Sequence, residues 1–264
     1  MDKPTPPPGV KLPTGSRYLQ PLRAMFAKQE ADCLHALAIR TGRKEYDAPI
    51  HVPSDFYDFR QWDGDLADDV RPATEFYWEA SGKRAMARFG RLPAAFSVRP
   101  PGTQAAIDQA AFSLSRAVND TTHKRMAQVV EGLKTEIADG LWHGDTHQEL
   151  IDRVQGVFTE ASDYRAHVIA GTEASRAVHM GALDAAKQSQ GLVIGKRFLL
   201  SGNPCPLCVA VAEKNLNKVV PLDGSFGRVG DHPDYAEIIV PPVHPQCMCS
   251  WEEVLAPEPT GRDD

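Results

Sequence analysis

With 264 residues, of which 42% are hydrophobic, 24% charged and 8% aromatic, the chain is long enough for one large domain or two modest ones. This composition excludes collagen-like and disordered classes, and no uncharged apolar run approaches the ~18 residues of a membrane span, so the expectation is a globular chain with no membrane contact. Lys and Arg number 29 against 35 Asp and Glu, a formal net charge of −6, which disfavours a protein whose main task is coating nucleic acid.

The opening MDKPTPPPGV has no apolar core of a secretory leader, and a cytosolic origin is the default expectation. Five prolines within residues 1–15 forbid regular structure and predict an extended, flexible arm. From Ser16 to Thr41, Leu19, Leu22, Met25, Phe26, Leu34, Leu37 and Ala38 fit one helical face, with Cys33 as a small core residue. Residues 43–62 have no period. Their aromatics, Phe56, Tyr57, Phe59 and Trp62, either plug a core or meet a partner, and partner docking is the expectation adopted for them. A second helical region runs over residues 64–89 with an interruption expected near Pro72, and Pro93, Pro100 and Pro101 then break the chain.

The strongest periodicity follows: Ile107, Ala111, Leu114, Val118, Thr122, Met126, Val129, Leu133, Ile137 and Leu141 recur every three or four residues. This predicts a long amphipathic helix with a break near Asn119–Thr122. Thr146 and Glu149 form a capping box that predicts a short helix through Phe158, and a third helix is expected from Ser162 to about Gly191. Beyond it, Arg197–Leu200, Lys218–Leu222 and Glu237–Val240 have the character of short strands among glycines and prolines. The fold expected is mainly α with a small C-terminal α+β module. Its parts are a proline-rich arm (1–15), an N-terminal helical region (16–92), a three-helix stem (93–192), a cysteine-rich, zinc-ribbon-like head (193–255) and a solvated tail (256–264).

The head holds the chemistry. Cys205 and Cys208 have C-x2-C spacing, which turns two sulfurs toward one ion, and His244 with Cys247 adds an imidazole and a thiol at H-x2-C spacing. Together they make a Cys3His set of the structural zinc type, and Cys249 is a fifth candidate. Two other readings stand beside zinc: small buried apolar residues, or disulfides joining the two ends of the module. A closed set of four or five ligands argues against a catalytic metal, and no position combines a nucleophile, a base and an orienting group, so no enzyme is expected. Glu173 and Arg176 stand at i and i+3 on one helix, the spacing of a solvated ion pair. Gly224, Gly227 and Gly230 lack the lysine and spacing of a phosphate loop.

Taken in order, Val118-Asn119-Asp120-Thr121-Thr122, the T-E-x-x-R motif of Thr172, Glu173 and Arg176, Lys196-Arg197-Phe198, C-P-L-C at Cys205–Cys208, and H-P-Q-C-M-C at His244–Cys249 resemble the phage head morphogenesis family, also called Mu F-like minor head proteins. The resemblance spans Phe96 to Leu255. It implies a tailed-phage or prophage protein that binds the portal or the major capsid protein, with packaged DNA as a further candidate contact. The implied roles are capsid assembly, DNA packaging or ejection, in the virion at the capsid interior or portal vertex and in the host cytoplasm during assembly. It carries over no catalytic residue. The competing class is a metal-dependent nuclease or toxin-like enzyme acting on DNA during infection.

Overall fold

A computed structural model describes residues 15–41, 62–91, 95–138, 147–227 and 237–257. These are mainly helical: α1 (Ser16–Thr41), α2 (Trp62–Arg88), α3 (Pro101–Ala138), α4 (His147–Gln188) and α5 (Pro206–Lys214), with two strands, β1 (Val193–Leu199) and β2 (Ser250–Leu255). Among the described residues no helix is long and apolar enough to cross a membrane. The proline-rich arm before Gly15, the aromatics Phe56, Tyr57 and Phe59, the capping Thr146 and most of the expected tail lie outside the described residues.

The chain divides into two compact units. One is drawn from Arg17–Pro72 and Ala106–His167. Its core is the face that helical spacing marks out: Tyr18, Leu22, Met25, Phe26 and Cys33 of α1, Leu66 and Val70 of α2, and Ile107, Ala111, Leu114, Val118 and Met126 of α3 are all buried. A polar network crosses this core. Gln29 donates through Nε2 to Asn119 Oδ1 at 2.8 Å, and Asn119 Nδ2 donates to Asp63 at 2.6 Å. Arg165 donates to the Val118 carbonyl at 2.8 Å and to the Thr122 hydroxyl at 3.1 Å, with its guanidinium over the Phe26 ring.

That network explains why the break expected near Asn119–Thr122 is absent. Thr121 and Thr122 return their hydroxyls to the carbonyls of Ala117 and Val118 one turn back, and Asn119 directs its amide to neighbouring helices, so none competes with the α3 backbone. The expected interruption near Pro72 is likewise absent. Pro72 and Asp68 both lie on the exposed side of α2, so the Asp68 carbonyl that Pro72 leaves without an amide faces water, while Ala73, Thr74, Tyr77 and Trp78 anchor the following turns. The short helix and the third helix expected over residues 146–191 are one helix, α4. Thr159-Glu160-Ala161-Ser162 contains no proline or glycine, and Ser162 continues the helix instead of capping a new one.

The second unit takes the described residues up to Ser16, Ala73–Ala105, and the described residues from Val168 onward. Ala170, Ala174, Ala177, Gly181 and Ala185 recur along α4, and the alanines among them are buried. The small stripe lets α2 come close: a Cβ on Gly181 would stand 2.1 Å from the Trp78 carbonyl oxygen. Trp78 Nε1 donates to Asp184 at 2.9 Å, and the Ser81 hydroxyl donates to the Val178 carbonyl at 2.6 Å, fixing the register of the pair.

In the head, β1 and β2 pair antiparallel from Val193↔Leu255 to Leu199↔Ser250, with an irregularity between Val193 and Gly195. β2 has no counterpart in the predicted strands, and two predicted strands are not strands. Lys218–Leu222 contributes a single bridge, Lys196↔Val220, and within Glu237–Val240 only Ile238 exchanges backbone hydrogen bonds, with Phe226 and Gly227. Pro221, Pro241 and Pro242 remove the amides that would extend either ladder. The Arg88 guanidinium on α2 is paired with Glu253 of β2.

Candidate metal centre

Two loops of the head bring the cysteines and the histidine together. The first is the entry to α5. Cys205 is the N-cap residue, extended at φ −79° and ψ 163°, and Pro206 opens the helix where a missing amide costs nothing. One turn of helix then points Cys208 inward, so Cys205 is half-buried at the rim and Cys208 is buried. The second loop is His244–Cys249. The Cys247 amide donates to the His244 carbonyl at 3.1 Å, closing a tight turn, and Gln246 inside it has a left-handed φ of +62°. Cys247 and Cys249 are two residues apart on the segment entering β2, and both are buried.

His244 is oriented by its own turn. Its Nδ1 lies 2.7 Å from the Pro245 carbonyl, which can only accept, so Nδ1 carries the proton and Nε2 presents a lone pair. That Nε2 stands 3.0 Å from Cys205 Sγ and 3.3 Å from Cys208 Sγ, and Cys208 Sγ stands 3.6 Å from Cys247 Sγ. The Cys249 thiol faces the Ser201 hydroxyl at 3.9 Å. The donor atoms form two groups, Cys205 with Cys208 and His244, and Cys208 with Cys247 and Cys249, each with all atoms within 4.8 Å of one another. These groups could hold a metal ion.

The donor chemistry fits a cation. Burial pushes the Cys208 thiol up to about 12, and the Cys249 thiol is raised because its proton is shared with Cys247 as well as by burial. Cys247 alone is pulled down, to about 5, chiefly by the hydrogen bond from Cys249. A thiol that burial holds protonated ligates a metal only by giving up its proton, and the charge that makes several thiolates tolerable in a buried site is that of the ion. All five cysteines are free thiols, and the 3.6 Å between Cys208 and Cys247 sulfurs is far beyond the ~2.05 Å of a disulfide. Packing as mere small apolar residues leaves unexplained a histidine lone pair aimed at two sulfurs.

The helix motif reaches the same place. Thr172 on α4 donates its hydroxyl to the Val168 carbonyl at 2.7 Å and accepts the Gln246 amide at 3.2 Å. Glu173 and Arg176 form the expected i,i+3 pair at 3.6 Å, with the glutamate side chain 14% exposed. Trp62, grouped with the docking aromatics in the sequence, is 4% exposed at the start of α2, where Lys28 Nζ lies 4.1 Å from its ring centroid. Sequence reasoning missed Gln246 and Ser201 as supports of the centre, since a left-handed φ and a contact 48 residues away leave no mark in spacing. No family model, curated protein or solved structure matches the chain.

Proposed function

We propose that this is a structural assembly protein of the phage minor head class, whose cysteine-rich head is held by one structural zinc ion and whose N-terminal region docks on a portal or major capsid protein. The observation that carries the reading is convergence: T-E-x-x-R, C-P-x-C and H-P-x-C-x-C, separate in the sequence, meet through the Thr172–Gln246 hydrogen bond and the His244 contacts to Cys205 and Cys208. A borderline-soft ion with no geometric preference suits three thiolates and an imidazole, and zinc is that ion. When bound, it neutralises buried thiolates and closes the module. His244 is turned to it by Pro245, and the two loops supply the sulfurs.

The reading assigns no catalytic residue. It places partner contact in the region before Pro93, which carries the proline-rich arm and the aromatics Phe56, Tyr57 and Phe59, because extended and irregular segments order on binding and aromatics anchor interfaces. The test has two parts: metal content of the reduced protein, and co-purification of tagged full-length protein with portal and capsid proteins, followed by mass spectrometry of purified particles. Zinc together with portal co-purification supports the reading. Protein that holds no metal and is absent from particles overturns it, and DNA cleavage that is lost in His244→Ala would move the assignment to the nuclease class.

A further inference from the structure

The head presents more donors than a tetrahedral ion can use. Five side chains, Cys205, Cys208, His244, Cys247 and Cys249, converge where four suffice, and they are not equivalent. They fall into an outer group, Cys205, Cys208 and His244, and an inner group, Cys208, Cys247 and Cys249, with Cys208 common to both. Each group is one ligand short of a closed tetrahedron. The fourth donor for the outer group is Cys247, 3.6 Å from the shared sulfur. For the inner group it is His244, 3.3 Å from the same sulfur. His244 and Cys247 belong to different groups and meet only through Cys208, so completing either group means drawing the two loops together on the ion; it then gives a quartet of three sulfurs and one nitrogen, and the two quartets share Cys208, His244 and Cys247. They differ only in whether Cys205 or Cys249 is the remaining ligand.

We propose that the centre is redundant at one position: Cys208, His244 and Cys247 are invariant ligands of the ion, and Cys205 and Cys249 are alternative occupants of the fourth site. The two alternatives differ in setting. Cys205 sits at the half-buried rim on the N-cap of α5, whereas Cys249 is 3% exposed beside Ser201 at the entry to β2. Loss of the rim ligand then leaves the ion held by Cys208, His244, Cys247 and Cys249, and the thiol that takes over gives up its proton to solvent as it ligates. This rests on the proposal that the head binds a metal, and it adds which ligands that metal can dispense with.

Cobalt(II) titration of the reduced, full-length protein tests it, because tetrahedral cobalt is coloured and its sulfur-to-metal charge-transfer intensity scales with the number of thiolates. Wild type, Cys205→Ala, Cys249→Ala and the double variant are compared, alanine being used so that no serine oxygen substitutes as a ligand. Each single variant is expected to bind one cobalt with the wild-type three-thiolate tetrahedral spectrum and an affinity within about tenfold of wild type, less than the roughly 10- to 100-fold that loss of an outer-shell partner costs. The double variant is expected to lose that spectrum. Failure of either single variant to show the three-thiolate spectrum, including failure to refold with cobalt present, means one fixed quartet and overturns the redundancy. A double variant that keeps the spectrum overturns it as well. Wild type that takes up no cobalt defeats the metal reading itself, a different outcome from any of these.

Discussion

The amide of Gln246, a residue held at φ +62° between two candidate metal ligands, donates to the hydroxyl of Thr172 on α4 at 3.2 Å. A non-glycine residue in the left-handed region carries a conformational cost, and a hydrogen bond from outside the turn is what holds it there. Thr172 in turn is fixed by donating to Val168 at 2.7 Å. One threonine therefore connects helix α4 to the loop carrying His244 and Cys247.

Thr172→Val keeps the shape of the side chain and removes the acceptor. It should cost about 1 kcal/mol of stability, the net worth of one intramolecular hydrogen bond, and should quicken release of metal to a chelator. Thr172→Ser restores the hydroxyl and should recover both properties. Chelator-competition kinetics and urea unfolding check this, and a Val variant indistinguishable from wild type in both would show that Thr172 does not position the loop.

Metal removal should unfold the head and leave the helices. The reduced protein is expected to hold about one zinc per chain, the number that one closed tetrahedral set takes. Chelation, or Cys208→Ser, should abolish amide-exchange protection in β1, α5 and β2 while the buried turns of α3 around Ile107–Val118 stay protected, because that face packs against other helices. Uniform loss of protection along the chain would contradict independent support of the helices.

Gly181→Ala should be severely disruptive for so small a change. Its Cβ would stand 2.1 Å from the Trp78 carbonyl oxygen, a backbone atom that cannot move without shifting α2 and straining the Trp78–Asp184 hydrogen bond. A loss of about 1–3 kcal/mol is expected, the usual range for overpacking, despite the better helix propensity of alanine. The shift in the urea midpoint measures it, and an unchanged or raised midpoint would refute the close approach.

Lys196 should make stability rise on the alkaline side. Its side chain is fully buried, its Nζ donates to the Leu222 carbonyl at 2.9 Å, and its ammonium lies 5.3 Å from the Phe226 ring centroid. Burial chiefly, with Lys187 adding and Asp223 opposing, lowers its pKa from 10.5 to about 8. Between those values the unfolded chain binds the extra proton, so stability increases with pH through this window, by at most about 1.4 kcal/mol per pH unit, and is lost again as pH falls through about 8. Other groups titrate there too, so the test is the difference between wild type and Lys196→Met. Wild type should gain on the variant from pH 8 to 10, and a constant difference would mean that Lys196 is not the group responsible.

The sequence by itself determined whatever depends on near neighbours. Helical spacing identified the buried faces of α1 and α3 and placed Cys33 in a core, because three- and four-residue recurrence puts side chains on one side of a helix whatever surrounds it. Residue chemistry and spacing likewise identified the five donors, and C-x2-C places Cys205 and Cys208 in one group across a single turn of helix. Only the tertiary structure decided how these pieces combine. That α3 runs unbroken through Asn119 depended on its side chain finding partners, Gln29 and Asp63, on other helices, and α4 likewise runs unbroken where local signals predict a short helix and a separate one. β2 became a strand because β1, more than fifty residues earlier, presents a ladder to it, while Lys218–Leu222 and Glu237–Val240, stronger in local preference, are stopped by prolines. The division of five donors into two groups sharing Cys208, and the link from Thr172 to Gln246, arise the same way. They join residues distant in the chain, and such distances are set by how the elements pack, which no local pattern encodes.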